Sequence, residues 1–316
     1  MRDTQNASTA DITISPSMAS DNANEVAFGW RWADGLLGWA SRHPRIPLAI
    51  ALAVGVLARI VLVVRSNALI DGDEAMVGIQ AEHILRGDFP TYFFGQVYMG
   101  SLETYLIAGL FRLFGPSPWA MRAVPILLSL LLVYLTWRLA YALLPRESRA
   151  TPLLAGLAAL FAAAPPLYDA VTELRTWGGQ IEIYVIILAL LLATVELAQR
   201  LRAEAGVAEL TRRWAVWGFL AGLGIWVNPL IVYGLITAIL WLAIPYLQRA
   251  FPGLLARLRR DVDPAIAGAT STVQRTSAIA LLAVIPGLLV GGLPAWIYAL
   301  QHSAENLLVY VNSPAA

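Results

Sequence analysis

The chain has 316 residues, 58% of them hydrophobic and only 14% charged, with a formal net charge of +1. Soluble domains run to roughly 45–50% apolar and about 25% charged, so the composition describes a multi-spanning membrane protein and excludes a soluble enzyme with one anchor. All 22 basic residues are Arg and there is no Cys, which excludes Lys Schiff bases, disulfides, thiolate nucleophiles and Cys-ligated metals.

Residues 1–27 are rich in Ser, Thr, Asn, Asp and Ala, with no apolar run and no basic start. They read as a disordered cytoplasmic tail and not as a signal peptide. In residues 28–45, Phe28, Trp32, Leu36 and Trp39 share one helical face. Two readings fit: a short helix lying in the membrane surface, or a plain aromatic belt.

A membrane helix needs about 20 predominantly apolar residues. Seven segments approach this, roughly 46–65, 121–144, 151–167, 180–198, 214–228, 229–247 and 276–299. The stretch Leu102 to Phe114 is apolar but short, and it carries Arg112. If it stays on the outer face, the Arg-rich connections around 42–45, 146–149, 199–213 and 248–275 all face the cytoplasm. Only Arg65, Arg86, Arg112, Arg122 and Arg175 then lie outside or at the outer edge, a clear positive-inside pattern. Leu102–Phe114 is therefore predicted to be an interfacial helix in a large outer loop, 66–120. The fold class expected is all-α: a polytopic membrane protein of about seven spans, with amphipathic interfacial helices in that loop.

The loop opens on Asp71-Gly72-Asp73-Glu74. Asp71 and Glu74 have the spacing of a capping box. Met76, Val77, Ala81, Ile84 and Leu85 form one apolar side of the helix that follows, and Gly87-Asp88-Phe89-Pro90 ends it. The carboxylates either cap this helix or carry chemistry. Tyr92, Phe93, Phe94, Tyr98 and Trp119 crowd the same loop, as a sugar-stacking platform or as interface aromatics.

A second outer loop, near 165–180, carries Asp169, Glu173, Arg175 and Gly178-Gly179 and leads into Glu182 at the start of an apolar run. A carboxylate so close to hydrocarbon is a functional candidate, although a headgroup-level position after a Gly-rich turn also accounts for it. Asp169 and Glu173 read as solvated loop residues. Arg59, inside the first span, reads as a snorkelling side chain.

The order of these features resembles the polytopic GT-C glycosyltransferases. An Asp-Glu pair leaves the first span, followed by an amphipathic helix and Arg86-Gly87-Asp88-Phe89-Pro90. Then come Gly95-Gln96-Val97-Tyr98-Met99-Gly100-Ser101-Leu102-Glu103, Leu113-Phe114-Gly115 and Arg122. The likeness is to the family 39 type, which includes protein O-mannosyltransferases and aminoarabinose transferases, and it covers roughly 46–300. It implies an inverting transfer of sugar from a polyprenyl-phosphate donor to a hydroxyl acceptor, on the outer face of the cytoplasmic membrane. It implies that Asp73 is the catalytic acid group of the loop, taking the acceptor proton or binding a metal. By the same resemblance Glu74, Gln96, Tyr98 and Glu103 contact substrate, and Glu182 is a second acidic position. Some relatives use a Lys clamp for the donor phosphate, which this chain lacks. Arg175 is the expected phosphate partner, and a divalent Mg²⁺ or Mn²⁺ held by Asp73 and Glu182 is the rival solution.

The departure is length, because such enzymes usually continue past the seventh helix and here only an outer tail, 301–316, follows. A fragment, a split enzyme completed by a second subunit, and an inactive remnant all fit that. A lipid-linked-sugar transporter or flippase and a non-catalytic membrane subunit are the competing functional classes. The apparent scarcity of charge within the spans weighs against transport.

Overall fold

The computed structural model describes residues 34–250 and 279–306. The predicted tail 1–27, the first part of the interfacial segment and the end of the outer tail lie outside them. Residues 34–42 are helical. The described elements then run α1 (Ile46–Arg65), α2 (Gly72–Arg86), β1 (Tyr92–Phe93), β2 (Gln96–Gly100), α3 (Leu102–Phe114), α4 (Pro118–Leu143) and α5 (Thr151–Ala163). They continue with α6 (Leu167–Thr172), α7 (Gln180–Arg202), α8 (Val207–Val227), α9 (Ile231–Ala250), α10 (Val284–Gly291) and α11 (Leu293–Gln301). Helices dominate because a chain this apolar must satisfy its backbone groups within each segment.

Within the described residues each of the seven apolar segments carries helix, but they differ as membrane spans. Among the described residues α1, α4 and α7 are long and apolar enough to cross a bilayer. A fourth candidate is a bent pair, Ile279–Gly291 with Leu293–Gln301, turned by 66°. Its break falls at Gly292 and Pro294, since proline can neither donate nor fit inside a continuing helix. Helix α5 stops at Ala163, ahead of Pro165-Pro166, after 13 residues. That is about 20 Å of helix, short of the hydrocarbon thickness. Helix α8 has 21 residues but opens with Glu209, Arg212 and Arg213 in its first two turns. Seven full crossings are therefore not what the helix lengths alone establish.

Helix α7 is the central one, with 61% of its apolar window buried inside the protein against 28% for α1 and for α4. Its Ile183, Ile186, Leu190 and Leu197 share a core with Trp214, Trp217 and Ala221 of α8. Trp217 donates its indole N–H to the Thr194 hydroxyl at 2.9 Å, which satisfies a polar atom inside that core.

The closest helix pair is α8 with α10. Gly218 and Gly222 of α8 face Gly287 and Gly291 of α10, each four residues apart. A methyl group added at any of the four would collide with a backbone carbonyl of the other helix, those of Val284, Leu288, Ala215 and Phe219 respectively. Small residues at this spacing let two membrane helices approach backbone to backbone. The chain thus carries two facing Gly-x-x-x-Gly motifs, a signal readable in the sequence and not used in the prediction.

Within the segment 66–115 two helices form at the expected positions, and a short hairpin that the sequence reading did not anticipate lies between them. Helix α2 is capped at its end by Gly87 with φ +104°, a conformation that favours glycine. Helix α3 forms at Leu102–Phe114 and packs its Ile107, Ala108 and Phe111 against Val77, Ala81 and Ile84 of α2 and against Met121 and Val124 of α4. Between α2 and α3 an antiparallel hairpin turns at Gly95 (φ +74°). The Gln80 amide holds it from below, donating to the Tyr92 carbonyl at 3.0 Å and to the Ser101 hydroxyl at 2.9 Å. Trp226, near the end of α8, donates to the Thr91 carbonyl at 3.0 Å. The hairpin is therefore fastened to two different helices.

Candidate functional site

The acidic run at the start of α2 divides into two roles. Asp71 is the N-cap: its carboxylate accepts from the Glu74 N–H at 3.0 Å, while Glu74 accepts from the Asp71 N–H at 3.1 Å. This is the capping box that the spacing predicted. The structure adds what the spacing did not contain. Arg122, in the second turn of α4, grips the Glu74 carboxylate with both guanidinium nitrogens, one contact being 2.9 Å. The same guanidinium donates to the Leu69 carbonyl and, at 2.6 Å, to the Leu174 carbonyl. Glu74 also accepts from the Thr176 N–H at 3.0 Å. Glu74 is 1% exposed, and these bonds occupy both of its oxygens.

Two further ion pairs reinforce the junction between the two loops. Arg175 reaches Asp71 at 2.7 Å and lies 4.5 Å over the Trp177 ring. Arg59 reaches Glu173 at 2.6 Å, the Ala163 carbonyl at 2.7 Å and the Ser129 hydroxyl at 2.5 Å. Two expectations are corrected here. Arg59 does not snorkel: it is 1% exposed and turns inward, onto the carbonyl end of α5, where the helix dipole favours a cation. Glu173 is not a solvated loop residue but the buried arginine's counter-ion, with its side chain 13% exposed.

Asp73 stands apart from all of this. It is exposed, and among the described residues no hydrogen bond or ion pair engages its carboxylate. Of the three acids in the run, Asp71 and Glu74 lock the loop and Asp73 is left pointing outward from the first turn of α2.

The other residues expected to meet substrate are distributed differently. Gln96 is half-buried on β2, and Tyr98, on the same strand, is 37% exposed. Glu103 is wholly buried in the first turn of α3. One of its oxygens accepts from the Gly178 N–H at 2.6 Å and the Gly179 N–H at 3.3 Å. Both glycines have positive φ, +72° and +100°, and this backbone shape is what turns the two amides toward one acceptor. Burial pushes the Glu103 carboxyl well above the usual carboxylate range and the neighbouring Glu182 adds to the rise, while the two glycine amides oppose it.

Glu182 is 2% exposed in the first turn of α7, with both carboxylate oxygens unpartnered. The suggested metal pair of Asp73 and Glu182 is thus one exposed and one buried group, and Glu182 follows the Gly178-Gly179 turn whose amides bind Glu103. Among the described residues there is no group of three or more His, Asp or Glu placed to hold a metal ion.

Sequence reasoning missed Arg122 as the organiser of the junction. Its only signal was a single cation one turn into an apolar helix, directly after Met121. Compared with protein-family models, with curated proteins and with solved structures, the chain matches none of them.

Proposed function

We propose that the protein is a membrane glycosyltransferase, an inverting enzyme that moves a sugar from a polyprenyl-phosphate donor to a hydroxyl acceptor. In this reading the bundle is a seven-span GT-C-like module in the cytoplasmic membrane. The N-terminus is inside and the loops 66–120 and 165–180 form the active face outside. The acceptor is a lipid, a glycan or a protein.

One observation carries the reading: in a run of three carboxylates, Asp73 is the only one not engaged by another group among the described residues. A rigid platform with one outward carboxylate suits general-base work. As the acceptor oxygen bonds to the anomeric carbon, its proton passes to Asp73. The bond from that carbon to the donor phosphate oxygen breaks, and the lipid phosphate leaves with the electron pair. A single displacement of this kind inverts the anomeric centre.

Arg175 is the cation placed to steady the leaving phosphate. It is about one-third exposed, already beside Asp71, and a guanidinium suits bidentate phosphate recognition. Tyr98 and Gln96, the sugar contacts that the resemblance implies, lie on the hairpin. A divalent ion, if bound, would supply charge neutralisation at the phosphate. A lipid-linked-sugar transporter is the second reading, favoured by the buried Arg59, Arg122 and Glu182. Two of these three are fixed in ion pairs, which does not suit groups that must change partners during transport.

The test uses membranes containing the full chain and a labelled polyprenyl-phosphate sugar, with the parent compared to Asp73→Asn. The expected outcome is a loss of transfer by roughly 10²–10⁴-fold with thermal stability unchanged. Undiminished transfer by Asp73→Asn would reject this residue as the base. Movement of the sugar lipid across the membrane without transfer would favour the transporter.

A further inference from the structure

Three carboxylate oxygens are buried together without a partner: Oε1 of Glu103 and both oxygens of Glu182. Glu103 is 0% exposed and Glu182 is 2% exposed, and the two interact electrostatically. No cationic side chain among the described residues pairs with either. The one other acid that acts on Glu103 is Glu74, and Arg122 already neutralises it. The loop amides of Gly178 and Gly179 satisfy one oxygen of Glu103, and Gly179 is the residue that caps α7, whose first turn carries Glu182. Two buried carboxyls therefore share the start of one helix, with three of their four oxygens unsatisfied. Carboxyls so buried either hold their protons or ionise onto a cation.

We infer that Glu103 and Glu182 form a divalent-cation site. A divalent ion balances two carboxylates with no charge left over. The donors are hard oxygens and the chain has no Cys, which selects Mg²⁺, Mn²⁺ or Ca²⁺ over softer metals. Two protein carboxylates are a normal complement for Mg²⁺, which keeps its other positions for water or phosphate oxygens. The buried hydroxyls of Thr104, next to Glu103, and Thr176, two residues before Gly178, are also unpartnered. They place further hard oxygens on the same two segments. Asp73 is not a ligand of this site. The argument rests on charge and burial alone and stands whether or not the chain transfers sugars.

The experiment uses the full chain purified in detergent and stripped with EDTA, titrated with Mn²⁺ alone. Bound ion is read from the loss of the free Mn²⁺ electron paramagnetic resonance signal, and thermal stability is followed in parallel. The parent and Asp73→Asn are expected to bind one ion per chain and to unfold at higher temperature with it. Glu103→Gln and Glu182→Gln are expected to bind more than ~10-fold more weakly, the loss that even an outer-shell partner can cause. Should either variant fail to fold, the parent is treated with a carbodiimide with and without Mn²⁺ and mapped by mass spectrometry. Protection of Glu103 and Glu182 by the ion is then expected. Absence of Mn²⁺ binding by the parent overturns the site, as does binding that disappears in Asp73→Asn but survives in Glu182→Gln. Because the readout is ion binding, failure here leaves the transferase test untouched.

Discussion

The protein has two ionic clusters that look alike in sequence and differ in physics. At the end where the segments 66–115 and 164–179 meet, Arg59, Arg122 and Arg175 pair with Glu173, Glu74 and Asp71. At the other, Arg138, Arg200 and Arg213 pair with Glu196 and Glu209 at 2.8–3.2 Å. In the first cluster Arg59 and Glu74 are 1% exposed, and their nitrogens and oxygens also meet backbone groups. In the second, Arg138 is 40% and Glu196 31% exposed on the side chain. Water and salt compete for the second cluster and cannot reach the core of the first. The lesson is that the first cluster holds the fold of two loops, whereas the second decorates helix ends.

Substitutions sharpen this contrast. The largest effect is expected for Arg122→Met, which leaves the Glu74 carboxylate buried without its cation and two carbonyls without a donor. Breaking a buried pair in this way costs about 3–5 kcal/mol, seen as a large fall in thermal stability in a fixed detergent. A fall no larger than that of an exposed pair would mean the junction is not the keystone described above. Asp71→Ala comes next, removing the N-cap acceptor and the partner of Arg175. The expected loss is about 1 kcal/mol, typical of a cap, and limited proteolysis should show faster cutting near residue 70. The smallest effect belongs to Glu196→Gln. Exposed pairs are worth roughly 0.2–1 kcal/mol, and the change should shrink further in high salt. If Glu196→Gln proved as damaging as Arg122→Met, the distinction between the clusters would collapse.

The capping box shows how far local reasoning reaches. Asp71, Glu74 and the terminating Gly87 interact within a few residues, so their spacing carries the geometry and the structure reproduces it. The Glu74–Arg122 pair shows where it stops. These residues are 48 positions apart, and nothing local distinguishes Arg122 from any interfacial arginine. Arg59 was misplaced for a related reason. Snorkelling is the usual fate of an arginine in a span, but here the end of α5 stands close by. Its carbonyls, with Ser129 and Glu173, offer an internal destination that depends on how three helices pack. Glu103 likewise sits in an apolar helix whose partner, the Gly178-Gly179 turn, lies 75 residues away.

The sequence by itself determined the helical, membrane-compatible character of the chain, because an apolar backbone must close its hydrogen bonds locally. It also determined where α2 begins and ends, through short-range caps. Only the tertiary structure decided which acid is free, since that depends on which arginine each carboxylate meets. Asp71 and Glu74 find theirs across the loops, Glu103 meets the Gly178 and Gly179 amides instead, and Asp73 finds none among the described residues.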